Sequence, residues 1–363
     1  MKILIICRLD GISNEKRALE IKKYLEHKKH SVELLNVLST NFLKYALWTE
    51  KINYQTKLWL YQKKLSYYPV FNEIIFKARY WNNLLKRKDF DALICQSCAD
   101  DLFFLETDFK NRKCLKILDV ATPWAAELKF AREFPEWYTN KIQDLERKVY
   151  LSSDYVSLMW GRYLGFVKKN VTKKANYVVV NWGCDKTKIK AKFSKKPRIV
   201  ILGSLGWYWN NLPLLVHLQK ISPLPIDIYG GKPAPPKKYN LNYFGFAPST
   251  DILAKYQFGL VTVSKDELRR SAFSSRQMTY ISYGLPVLMP DWYAEPLLNR
   301  VGISYNEQNF VSQLMKYSDK KLWNLKHKNC LEFADKFYWQ KTLTPLDKIF
   351  NDYEKKKTDG IYK

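Results

Sequence analysis

The chain has 363 residues, 47% of them hydrophobic, 26% charged and 15% aromatic, a balance that excludes a disordered polyelectrolyte, and a length that exceeds one hydrophobic core and points to two domains. Lysine and arginine number 61 against 35 acidic residues, a formal net charge of +26, which sets up a field attractive to phosphate, nucleic acid or anionic lipid. Six cysteines in a chain of this length make no disulfide framework, so a reducing cytoplasm is the expected setting.

Lys2 to Cys7 is an apolar run ended by Arg8, too short for a signal segment or a membrane span, and no stretch of about 18 apolar residues occurs. A polar loop with Gly11 follows, then helix-patterned Glu15 to His30 and the alternating strand Ser31 to Leu38, which together read as the opening of a parallel α/β sheet. Residues 42 to 88 read as long helical stretches interrupted at Pro69. Asp91 to Cys95, Leu115 to Val120, Asp154 to Met159 and Tyr177 to Val180 read as strands, with a helix over 135 to 150.

Lys186 to Lys196 reads as a basic linker, and at Pro197 the pattern begins again. Arg198 to Leu202, Pro225 to Tyr229, Leu241 to Phe244, Phe258 to Val263 and Val287 to Met289 read as strands, Asn211 to Ile221 and Ser274 to Tyr283 as helices. The expected fold class is α/β, two Rossmann-like doubly wound parallel-sheet domains over residues 1–190 and 191–330. A helical segment, 331–363, is expected to return to the first domain.

Ligands of open parallel sheets bind at the carboxyl ends of strands, where glycine turns and helix N-termini present backbone N–H groups. Three such ends stand in the second half: Gly203-Ser204-Leu205-Gly206, Tyr229-Gly230-Gly231 and Phe244-Gly245-Phe246. The sharpest segment is Ser274 to Leu288. A serine cap opens its helix, Gly284 and Pro286 end it, and Arg276 falls in the first turn, where a cation is unfavourable unless it faces an anion such as a diphosphate. Cys95 and Cys98 form a C-x-x-C pair, but without a second pair and with only four histidines they are expected to be buried thiols rather than zinc ligands. Asp100-Asp101 is expected to be a surface pair and not a metal site.

The run from Gly203 through Tyr229-Gly230-Gly231, Phe244-Gly245-Phe246 and Gly259-Leu260-Val261 to Tyr280-Ile281-Ser282-Tyr283-Gly284-Leu285-Pro286-Val287 resembles the donor domain of GT-B glycosyltransferases. It is similar to family 4 and to the xanthan-type glucuronosyltransferase. In the first half, Ile117-Leu118-Asp119-Val120 with Trp124, Asp154-Tyr155-Val156 and Val179 to Asp185 fit the same resemblance. It implies a nucleotide-sugar donor bound between two facing domains, with no metal or other cofactor. Gly203, Ser204 and Gly206 would border the diphosphate, Phe246 would lie near the base, and Tyr229, Glu267, Gln277 and Thr279 would complete the donor site. Arg276 falls where the xanthan-type enzyme has a phosphate-binding lysine. Family 4 enzymes usually carry two glutamates where this chain has Ser271 and Thr279, so inversion is favoured. Inversion calls for a carboxylate base in the first domain; Asp119, at the end of a strand, is the candidate, and Asp10 is second.

Residues 51 to 88 set nine Lys/Arg and nine aromatics against one glutamate, and residues 162 to 198 set twelve Lys/Arg against Asp185. The first stretch suits an anionic membrane surface, which favours a lipid-linked or cell-surface glycan acceptor and a peripheral position on the inner face of the membrane. A sugar-nucleotide epimerase of the same fold is the alternative, disfavoured by the shortage of histidine. Nucleic-acid binding is the other, and no recognition signature accompanies the charge.

Overall fold

The computed structural model describes residues 1–7, 13–36, 85–86, 88–96, 113–131, 134–203, 205, 210–231, 234–272, 274–293 and 295–359. Asp10, Cys98, Asp100, Asp101, Ser204, Gly206 and all of the 51–88 stretch except residues 85, 86 and 88 lie outside them. The chain divides into two units, Met1–Asn181 with Thr342–Lys363, and Trp182–Lys341.

In the first unit the strands are β1 (Lys2–Cys7), β2 (Ser31–Asn36), β3 (Ala92–Gln96), β4 (Leu115–Val120), β5 (Tyr155–Leu158) and β6 (Tyr177–Val179), with helices α1 (Ser13–His27), α2 (Trp124–Ala131), α3 (Glu136–Ser152) and α4 (Gly161–Asn170). They form one parallel sheet in the order β2-β1-β3-β4-β5-β6. β3 and β4 are buried at every residue, the pattern of strands covered on both faces by helices.

The second unit repeats the plan with β7 (Ile199–Leu202), α5 (Leu212–Ile221), β8 (Ile226–Tyr229), β9 (Asn242–Tyr243), β10 (Phe258–Leu260), α6 (Glu267–Ser271), α7 (Ser275–Ser282), β11 (Val287–Pro290), β12 (Gly302–Tyr305), α8 (Phe310–Tyr317), α9 (Lys320–Lys336) and α10 (Trp339–Thr342). Its strand order, β12-β11-β10-β7-β8-β9, reverses direction between β7 and β10.

The last helix, α11 (Pro345–Thr358), packs in the first unit. Leu346, Ile349, Phe350 and Tyr353 are buried, Tyr24 Oη and Lys28 Nζ each donate to Asp347 at 2.8 Å, and Lys357 Nζ donates to Asp91 at 2.9 Å.

The unit boundaries fall at Asn181/Trp182 and Lys341/Thr342, ahead of the expected 190 and beyond the expected 330. The passage read as a linker is tied into the second unit. Cys184 N donates to Phe337 O at 2.6 Å, Ala191 N to Tyr283 O at 2.8 Å and Gln257 Nε2 to Lys192 O at 3.0 Å. Trp182 meets Trp339 edge-on at 5.2 Å. Thr187 Oγ1 and Lys190 Nζ both donate to Ser282 O, so part of the basic run satisfies the orphan carbonyls at the end of α7.

Candidate functional site

A doubly wound sheet opens a crevice where its strand order reverses, because the chain departs to opposite sides from the two neighbouring strands. In the second unit this point lies between the carboxyl ends of β7 and β10. β7 ends at Gly203, whose φ of +115° belongs to glycine and whose N–H donates to Tyr229 O at 2.7 Å.

Helix α7 crosses this point and lays two side chains, one turn apart, on two glycines. The Arg276 guanidinium rests on Gly203: a Cβ built there would stand 3.1 Å from Nη2 and 3.4 Å from Cζ. The ring of Tyr280 rests on Gly259 of β10, where a Cβ would stand 2.3 Å from Cδ2. Arg276 Nη1 is buried with no hydrogen-bond partner among the described residues, and so is Thr262 Oγ1, two residues beyond β10. A buried guanidinium nitrogen without an acceptor is costly. An anion seated at the end of β7 relieves that cost.

Gln277 has another task. It is fully buried, its Oε1 accepts from Ser274 N and from Tyr293 Oη, both at 3.3 Å, and its Nε2 approaches Met289 Sδ at 3.8 Å. It closes the N-terminal cap of α7 and faces the core, so the expectation of a donor contact is corrected. Thr279 Oγ1 donates to Ser275 O within its own helix at 3.3 Å. Glu267 is exposed in the first turn of α6, beside the cap that Asp266 makes to Leu268 N at 2.7 Å.

On the β8 side, Tyr229 stacks on Phe244 with centroids 5.3 Å apart. Tyr256 Oη lies 2.9 Å from Asp227 Oδ2 and 3.1 Å from Tyr229 Oη, and burial pushes the Tyr256 hydroxyl well above its ordinary pKa. Gly230 N donates to Gly245 O at 2.8 Å, which holds the third glycine turn against the second. Phe244 and Phe246 are 56% and 82% exposed, so the β9 edge of the sheet presents aromatic surface to solvent.

In the first unit Asp119 ends β4 as read, but its carboxylate is committed. Arg17 Nε and Nη2 each donate to it at 2.8 Å, Ser157 Oγ at 2.8 Å and Gln96 Nε2 at 3.3 Å, and Arg17 and Asp119 are 1% and 3% exposed. Arg17 Nη2 also donates to Val180 O at 2.9 Å. A carboxylate so engaged acts as a structural anchor, which argues against the expectation that Asp119 is the catalytic base.

Cys7, Cys95, Cys114, Cys184 and Cys330 are buried free thiols, and burial pushes Cys7 up to about 12. Among the described residues no group of three or more His, Cys, Asp or Glu is placed to hold a metal ion, and no helix is long and apolar enough to cross a membrane.

Arg17, Tyr280 and Thr262 carry geometry that the sequence did not single out. Tyr280 had one legible signal, a glycine inside the apolar strand β10, since glycine in a strand often marks a close approach. Arg17 had none, because its partner lies 102 residues away.

No protein-family model matches the chain, and no curated protein matches it. Solved structures do. Sucrose-phosphate synthase from Thermosynechococcus elongatus superimposes with a TM-score of 0.71 at 10% identity, over 97% of this chain and 98% of that one. A trehalose-6-phosphate synthase, studied for glycosyltransfer with retention, gives 0.64 at 11% identity over 98% and 99%. The lipopolysaccharide outer core galactosyltransferase WaaB gives 0.61 at 12% identity over 98% and 100%. At such identities the likeness is one of fold, and with two six-stranded parallel sheets flanked by helices the chain has the GT-B glycosyltransferase fold.

Proposed function

We propose that the chain is a glycosyltransferase, moving a sugar from a nucleotide donor to a glycan or lipid-linked acceptor. The carrying observation is Arg276, whose guanidinium lies on Gly203 with a buried Nη1 that has no hydrogen-bond partner among the described residues, at the reversal of the second sheet. Cleavage of a nucleotide sugar leaves a diphosphate, and a fixed guanidinium where that charge develops stabilises the transition state more than the ground state. A planar fork also matches phosphate oxygens in pairs. With Arg276 supplying positive charge, transfer is proposed to need no metal ion; the exposed rings of Phe244 and Phe246 offer the nucleoside an apolar rim. The solved neighbours, two synthases of sugar phosphates and a galactosyltransferase, support the class of reaction.

The acceptor is proposed to lie at an anionic membrane surface. Arg147 and Lys148 in the C-terminal half of α3, Lys168 in the last turn of α4, and Lys173 and Lys174 in the following loop are all exposed, and none has an ion pair among the described residues. Gln143 Nε2 to Asn170 O at 2.7 Å, Tyr177 Oη to Thr172 O at 2.7 Å and Asn176 Nδ2 to Asp154 O at 3.2 Å lay the end of α4 and the loop after it along the C-terminal half of α3, which also carries Leu151, 48% exposed.

Titration calorimetry with nucleoside diphosphates tests the site. Arg276→Ala is expected to weaken binding by roughly 10- to 100-fold, the range for a charge-assisted contact of about 1.5–3 kcal/mol, with full transfer in wild-type protein under chelator. Unchanged affinity in Arg276→Ala would remove the phosphate assignment.

A further inference from the structure

One hydroxyl stands between β7 and β10 where the crevice opens. The two strands pair in register as Phe258↔Ile199 and Gly259↔Val200. Gly203 N turns to β8, donating to Tyr229 O, and alternation along a strand therefore turns Leu202 N toward β10. Leu202 N donates not to a strand but to Tyr280 Oη at 2.8 Å, and the same oxygen lies 3.5 Å from Leu260 O, to which it can donate. The phenol thus stands between the donor of one strand and the acceptor of the other, where an unsplit parallel ladder would carry a direct bond. Its ring reaches that place over Gly259, where any side chain would collide with it. Tyr280 is fully buried.

We propose that Tyr280 is the positioning residue of the Arg276 site: its hydroxyl splices β7 to β10 at a fixed width and so sets the height at which Arg276, one turn earlier on α7, lies over Gly203. This rests on the phosphate role of Arg276 given above. The physical reason is the shared helix face. Residues four apart on a helix point the same way, so the bond that pins Tyr280 to the last residue of β7 also pins the Arg276 fork to the glycine that follows. Fixing the helix at Tyr280 fixes the Cα of Arg276 one turn earlier, so the side chain sets out toward Gly203 from a defined height. Preorganisation of this kind appears in affinity for the anion and not only in stability.

Calorimetry with inorganic pyrophosphate and with UDP on the full chain tests the proposal through a double-mutant cycle. Tyr280→Phe keeps the ring and removes only the splice; it is expected to weaken both ligands by about fivefold to tenfold, the worth of one hydrogen bond. Arg276→Ala weakens them more, and the double variant is expected to bind no worse than Arg276→Ala alone, because Tyr280 acts through Arg276. Gly259→Ala, which displaces the ring from the other side, is expected to reproduce the Tyr280→Phe loss. Faster hydrogen exchange at the Leu202 amide in Tyr280→Phe is the ligand-free readout. Additive losses in the double variant, or Tyr280→Phe binding like wild type, overturn the positioning role and leave the phosphate reading standing. An unaffected Arg276→Ala overturns both.

Discussion

At the scale of single residues, the buried ion pair of the first unit, Arg17 with Asp119, is committed to the fold. Arg17 and Asp119 show how far a correct strand assignment can mislead about chemistry: the sequence placed a carboxylate at the end of β4, and only the fold reveals the guanidinium that occupies it. The pair ties α1, β4, β5 and the backbone at Val180 together, through Ser157 Oγ and the Val180 carbonyl. Removing one member leaves the other desolvated and alone, which costs about 3–5 kcal/mol, whereas replacing both with apolar groups of similar volume is often close to neutral. Asp119→Asn is therefore expected to lower the melting temperature markedly by scanning calorimetry, and Arg17→Met with Asp119→Leu to regain much of the loss. A variant Asp119→Asn that melts like the wild type while losing transfer would return the residue to the reacting centre.

At the scale of elements, periodicity located what is buried on both faces and overlooked what is short or locally amphipathic. All strands of the first sheet and the helix that carries Arg276 were legible, since apolar runs bounded by glycine and proline leave few alternatives. β12, α2 and α4 were not. α4 sits inside a stretch whose lysines drew attention to charge rather than to the buried Tyr163, Phe166 and Val167 beneath it. α2 begins without a capping side chain of its own. Its first amides are met by Glu146, which comes from α3 and accepts from Trp124 N at 2.7 Å and Ala125 N at 3.3 Å. Burial pushes the Glu146 carboxyl up to about 7, against the lowering effect of those amides and of the Tyr150 hydroxyl. A free glutamate titrates near 4.3, so between that pH and about 7 the folded chain holds a proton that the unfolded chain has released. The protonated group favours the fold; that contribution is whole below about pH 4.3 and is lost as pH rises through about 7, a change of roughly 3 kcal/mol. Denaturant unfolding of wild type and Glu146→Gln from pH 5 to 8 measures it. The wild type is expected to lose stability relative to the variant across this range, and parallel curves would show that Glu146 titrates normally.

At the scale of the whole molecule the net charge of +26 is far more than a diphosphate site requires, and its distribution argues for a second anionic partner. The proposed donor site uses one guanidinium on a glycine turn, and of the basic run after Asn181 one cation, Lys190, is held by the Ser282 carbonyl at the end of α7. Arg147 and Lys148 in the C-terminal half of α3, Lys168 in the last turn of α4 and Lys173 and Lys174 in the following loop are exposed and without an ion pair among the described residues, and both helices end beside the amino ends of the strands that follow them, β5 and β6. Ligands of such sheets collect at the carboxyl ends, so the membrane contact proposed above would leave those ends of the first sheet open. Among the described residues the exposed hydrophobe of this stretch is Leu151, and the most exposed phenylalanines, Phe244 and Phe246, belong to the other unit; single-stranded nucleic acid is held by stacked aromatics, so these residues favour the lipid surface proposed above over nucleic acid. Each cation near an anionic leaflet contributes about 1 kcal/mol at moderate salt. Lys148→Glu with Lys173→Glu and Lys174→Glu is expected to abolish sedimentation with phosphatidylglycerol vesicles at low salt while leaving UDP affinity and melting temperature near wild type. Wild-type binding should fall steeply as salt rises from 50 to about 300 mM, as the Debye length contracts below 10 Å. Sedimentation that survives both the charge reversal and the salt would place the membrane contact elsewhere on the chain, and tight binding to single-stranded RNA lost in the same variant would replace lipid with nucleic acid as the partner of these cations.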